Sequence, residues 1–115
     1  MGIERRKHPR YRIDMSVILH VGGGGHTVLG RTWDLSSAGI FVLTAEAVSH
    51  GSRVEMAVID GAREETYFLA GSVVHVAQGR GLGIQFSPLS TRTSGRLAQL
   101  LQQLAEQGPP LGASG

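Results

Sequence analysis

Five basic residues crowd one end of the chain: Arg5, Arg6, Lys7, Arg10 and Arg12. Of the 11 basic residues in the sequence all but Lys7 are arginines. A guanidinium is a planar fork of N–H donors that fits phosphate oxygens and the O6/N7 edge of guanine, and it stacks on flat rings. Arg6 and Arg10 stand four residues apart with Arg5 just before them. In an extended or turning segment that pair reaches around an anionic ligand from two sides. A solubilising tail or a non-specific nucleic-acid arm has the same composition, and the arm alone does not choose.

A second cluster follows at Asp34-Leu35-Ser36-Ser37-Ala38-Gly39. Side chains two apart in extended backbone project to the same side, so Asp34 and Ser36 can face one ligand. A carboxylate accepts hydrogen bonds from paired N–H donors such as N1 and N2 of guanine. Ser36 can donate to a phosphate or hold the turn. Gly39 permits a positive φ or a close approach of ligand to backbone. The same residues also close a tight turn through their own backbone.

Other chemistries lack their residues. The chain has no cysteine, which excludes disulfides, thiolate metal sites and cysteine nucleophiles. The five histidines show no metal-ligand spacing. Gly22-Gly23-Gly24-Gly25 is followed by His26 and a β-rich run rather than by a Lys-Ser/Thr pair opening a helix. It reads as a flexible hairpin loop, not a phosphate loop. No carboxylate pair shares an evident face with a nucleophile, and Glu64-Glu65 reads as decoration of a loop or strand edge. We therefore expect no catalytic residue, no metal and no cofactor.

The elements that position these clusters are mostly strands. Ile13, Met15, Val17, Leu19 and Val21 alternate with other residues at period two, the mark of a strand with one buried face. Thr27–Trp33 reads as its hairpin partner. Further strands are read at Ile40–Leu43, Ser52–Ile59, Tyr67–Ala77 and Gly81–Phe86, giving six short strands and a small barrel or sandwich. Leu97, Leu100, Leu101 and Leu104 form one stripe of a helix, read as a lid on the domain's own core. Trp33 is read as core, with stacking on a base as the alternative. At 115 residues with 41% apolar content and a net charge of +2, the chain is one globular domain. No apolar run approaches the roughly 20 residues of a membrane span, and the N-terminus has no secretory pattern. A soluble, cytoplasmic protein without membrane insertion is expected.

Taken together, Arg6-x-x-x-Arg10 and, one hairpin later, Asp34-x-Ser36-x-x-Gly39 resemble the PilZ domain family. Glu4-Arg5-Arg6-Lys7-His8-Pro9-Arg10 is similar to the start of such domains, and Gly81-Leu82-Gly83-Ile84-Gln85-Phe86 to their final strand. The resemblance covers roughly Glu4 to Leu104. It implies a mainly β fold, a small six-stranded antiparallel barrel with a C-terminal α-helix, acting as a receptor for the bacterial second messenger cyclic di-GMP. On that basis a flexible basic arm is expected over 1–12, the barrel with its helix over 13–106, and a disordered tail over 107–115. Arg6 and Arg10 would contact phosphates and guanine edges, while Asp34, Ser36 and Gly39 would surround one guanine. Arg5 holds the place that in the family accompanies an intercalated ligand dimer, which implies two ligands per chain. The arm, polar and poor in apolar anchors, is expected to order on binding and to relay the signal to a protein partner. The alternative is a PilZ-like adaptor that works through protein contacts without the nucleotide. A nucleic-acid-binding barrel is disfavoured by the low net charge and the few aromatics, three Phe, two Tyr and one Trp.

Overall fold

A computed structural model describes residues 8–22 and 25–112. Arg5 and Arg6, and the expectations placed on them, lie outside the described residues. The strands are β1 (Tyr11–Arg12), β2 (Ser16–Val21), β3 (His26–Leu35), β4 (Gly39–Leu43), β5 (Arg53–Asp60), β6 (Glu65–Ala77) and β7 (Gly81–Phe86). They are followed by one helix, α1 (Thr91–Gln107). All strand pairings are antiparallel, in the order β3-β2-β5-β6-β7-β4, and β4 pairs back onto β3. The result is a closed six-stranded barrel, with β1 added outside it against the end of β3. Closure leaves no long unpaired edge within the barrel itself.

The alternation read from the sequence is what fills the barrel. Met15, Val17 and Leu19 are buried, and so are Val54, Met56 and Val58 across the β2–β5 pairing. Leu97, Leu100 and Leu104 belong to the same core cluster, so the leucine stripe of α1 packs inward. Ser90 starts that helix, its hydroxyl accepting from the Thr93 amide at 3.1 Å. Arg96 then anchors α1 to β6, bonding to Glu65 and to the Thr66 carbonyl while lying over the Tyr67 ring.

Three features depart from the sequence reading. Strand pairing begins at Tyr11, where β1 joins Leu35 and Asp34 of β3 through Tyr11 and Arg12. Trp33 is not core: it is 44% exposed, and the Arg12 guanidinium lies 4.1 Å from its ring. The β3–β4 register shifts between Thr32 and Asp34, so simple alternation fails there. Thr32 keeps the inner place that alternation from Val28 gives it, its hydroxyl bonded to the Met15 amide and the Ile13 carbonyl. After α1 the Leu111 amide donates to the Arg10 carbonyl at 2.7 Å.

Candidate functional site

The turn between β3 and β4 builds itself before it can bind anything. The Ser36 hydroxyl accepts from the amides of Ala38 and Gly39, both at 3.1 Å, and the Ser36 amide donates to the Gly39 carbonyl at 2.9 Å. Ser36 is 2% exposed. Ser36 thus holds the turn, one of the two roles its place in the sequence allows. Gly39 is not among the glycines with positive φ. It is required for a different reason: a Cβ there would collide with the Ile84 carbonyl of β7. The close approach at Gly39 is therefore by the chain's own backbone.

Asp34 is the penultimate residue of β3, just before this turn. Its carboxylate accepts from the Arg10 guanidinium at 3.1 Å, with side-chain exposures of 12% for Asp34 and 35% for Arg10. Its second oxygen has no hydrogen bond among the described residues. The end of the arm is fixed over the turn at two further points. His8 shares a 3.0 Å hydrogen bond with the Ser37 hydroxyl, and the Arg10 carbonyl holds Leu111. Arg10, Asp34, Ser36 and Gly39 are thus brought to one place.

That place is a groove of about 500 Å³ on the barrel's outer surface. Arg10 and Asp34 stand on one side, and the outer faces of β4, β6 and β7 complete it through Phe41, Val74, His75 and Gln85. Such a volume is of the size that small-molecule sites occupy. Chemically it offers a fixed cation, a carboxylate with acceptor capacity to spare, and a partly apolar floor. Phe41 and His75 escape a sequence reading because neither stands in a motif. The signal for His75 is a break in alternation, since Val74 and His75 are both exposed on β6. Trp33, the residue weighed as a stacking partner, does not line this groove.

The chain matches the family model of the PilZ domain over residues 4–103. No curated protein sequence matches it. Among solved structures it is similar to the PilZ domain with c-di-GMP of YcgR from Escherichia coli, with a TM-score of 0.73 at 18% identity, covering 90% of this chain and 94% of that one. It is also similar to the Bacillus subtilis inhibitor of motility MotI/DgrA, with a TM-score of 0.67 at 18% identity over 91% of this chain and 54% of that one. The K. pneumonia MrkH–c-di-GMP complex gives a TM-score of 0.73 at 17% identity, over 91% of this chain and 53% of that one. The chain spans about half the length of the last two. At these identities the structures establish the barrel and its helix. Among the described residues, no helix is long and apolar enough to cross a membrane.

Proposed function

The chain belongs to the PilZ domain family, and we propose that within it the chain is a receptor for cyclic di-GMP. One observation carries this reading: Arg10 and Asp34, 24 positions apart in sequence, meet at 3.1 Å on the rim of a groove shaped by the Ser36–Gly39 turn. A cyclic dinucleotide presents two phosphates and two flat purines. Arg10, with Arg6 and Arg5, supplies forks for the phosphates and for the O6/N7 edge of guanine. The open oxygen of Asp34 accepts from guanine N1 and N2. Ser36 and Gly39 shape the wall rather than donate. Two proteins of similar fold are described as complexes with c-di-GMP, which adds to the case.

Arg5 leads us to propose two ligands per chain. The signal is relayed by contact with a protein partner in the cytoplasm, and the arm orders as the ligand binds. The Leu111–Arg10 hydrogen bond offers a route outward, because a ligand that draws Arg10 away from Asp34 also pulls on the segment after α1. Titration calorimetry with cyclic di-GMP tests the core of the reading. Binding in the micromolar range or tighter, lost in Arg10→Ala and in Arg6→Ala, is the expected result. An absence of heat at high ligand concentration would instead favour an adaptor that works without the nucleotide. A stoichiometry near one would remove the Arg5 inference alone, and equal amide exchange of the arm with and without ligand would remove its ordering.

A further inference from the structure

The side of the barrel turned away from the groove carries an apolar row. Phe68 on β6 is the register partner of Ala57 on β5, Ala57 of Ile18 on β2, and Ile18 of Leu29 on β3. Register partners in adjacent strands point to one face, so these four side chains line up over about 14 Å of the outer wall. In the closed order β3-β2-β5-β6-β7-β4, the central strands β2 and β5 stand across the barrel from β7 and β4. The core does not use this row. Ile18 and Ala57 are half-buried, while Leu29 and Phe68, at 71% and 74%, are the most exposed large apolar side chains among the described residues. One exposed leucine is ordinary, but an aligned apolar row marks a contact surface. The most prominent side chains stand at its two ends, which flattens a convex wall.

The next row decides what fits. His20 and Glu55 are register partners there, and both are exposed. Among the described residues Glu55 has no hydrogen bond or ion pair, and His20 engages only its Nδ1, with the Thr27 hydroxyl at 3.1 Å. A twofold axis running along the strands, between β2 and β5, reverses each row on a second copy. Leu29 then faces Phe68 of the second copy, Ile18 faces its Ala57, and His20 faces its Glu55, each contact occurring twice. An axis along the row would set Glu55 against Ile59 of the second copy, two residues to the other side of Ala57, and desolvate the carboxylate without a partner. With the first axis a groove of about 520 Å³ beside Phe68, walled by Pro88 and Leu89 ahead of α1, lies where Leu29 of the second copy arrives. Shape and charge are thus self-complementary in one orientation.

We propose that this face pairs two copies of the chain back to back, through reciprocal Leu29–Phe68 and His20–Glu55 contacts. Both ligand grooves stay open in such a pair, so the inference does not depend on the receptor reading. A footprint about 14 Å on a side falls short of the roughly 800 Å² per partner of a standard interface. The pair is therefore weak, with a dissociation constant on the order of 10–100 μM.

The test is sedimentation velocity of the unaltered chain from about tenfold below to about tenfold above that constant, where the dimer should come to dominate. Leu29→Asp and Phe68→Asp should each weaken association about tenfold or more. Both positions are exposed, so melting temperature and cyclic di-GMP titration should stay as in the unaltered chain. The chain has no cysteine, which allows a second readout of the orientation. A short bis-maleimide spans the roughly 10 Å between packed sheets. It should link Leu29→Cys to Phe68→Cys when the two variants are mixed, and neither variant to itself. A monomer at every concentration would overturn the proposal and leave the row to a different protein. Association untouched by both Asp variants would overturn it too. So would self-linking of either Cys variant in preference to the mixture, which would show another axis. None of these results bears on the receptor reading, which cyclic di-GMP titration of the unaltered chain decides.

Discussion

The chain uses an aspartate–arginine pair of the same length in two places, to opposite ends. Arg10 meets Asp34 at 3.1 Å, and Arg63 meets Asp60 at 3.1 Å. At the β5–β6 turn both carboxylate oxygens are engaged. Asp60, with its side chain 4% exposed, accepts from both the amide and the guanidinium of Arg63, whose Nε bonds onward to Gln103 of α1. At the groove, among the described residues, the pair is only partly engaged, with one carboxylate oxygen without a hydrogen bond and Arg10 more exposed. Distance does not separate a structural ion pair from a binding one. The remaining hydrogen-bonding capacity does, together with the presence of a groove.

The sharpest way to break this contrast is to delete each acid in turn. Asp60→Ala leaves a largely buried guanidinium without its carboxylate, and loss of one partner of such a pair is costly. Urea unfolding should show a loss of about 2–3 kcal/mol, less than for a fully buried pair because Arg63 is 28% exposed. Cyclic di-GMP binding by the folded fraction should be unchanged. A stable Asp60→Ala variant would mean that the two pairs do not differ as described.

Asp34→Ala should give the reverse pattern. The pair with Arg10 is partly exposed, so unfolding stability is expected to fall by no more than about 1 kcal/mol. Ligand affinity should drop about tenfold or more, the scale of lost hydrogen bonds to a charged group. Calorimetry and urea titration on the same preparation measure both. Large destabilisation with intact binding would make Asp34 a structural anchor of the same kind as Asp60.

How far the sequence revealed this depends on the range of each interaction. Period-two alternation from Ile13 to Val21 and the Leu97–Leu104 stripe were legible, because burial repeats locally. Arg10 and Asp34 were legible as types and spacings. The inward placement expected of Trp33 fails because it takes Trp33 and Asp34 to point opposite ways, whereas the register shift between Thr32 and Asp34 leaves both on the outer side and Thr32 keeps the inner place that alternation from Val28 gives it. β1 is two residues long and exists only through β3. Gly39 reads in the sequence as room for a ligand, but the approaching group is the Ile84 carbonyl, 45 positions away in sequence. The Phe41–His75 contact depends on register across three strands, and no short window contains it.

A third pair completes the series at its weak end. Asp14 and Arg31 meet at 2.7 Å on the surface, with exposures of 58% and 54%, and Arg31 also reaches the Ser16 hydroxyl. The hydrogen bond from Arg31 holds the Asp14 carboxyl below its ordinary value and raises the Arg31 guanidinium correspondingly. A carboxylate whose folded-state pKa is depressed stabilises the fold above its unfolded pKa, about 3.9, and loses that contribution as pH falls through the folded value. Asp14→Asn should therefore lower the urea midpoint slightly at pH 6, and the difference from the unaltered chain should vanish as pH drops below both values. High salt should shrink it at pH 6 as well, because both groups are open to solvent. Of the three deletions this one should be smallest in stability and silent in ligand binding. A midpoint loss at pH 6 matching that of Asp60→Ala would show that burial does not rank these pairs.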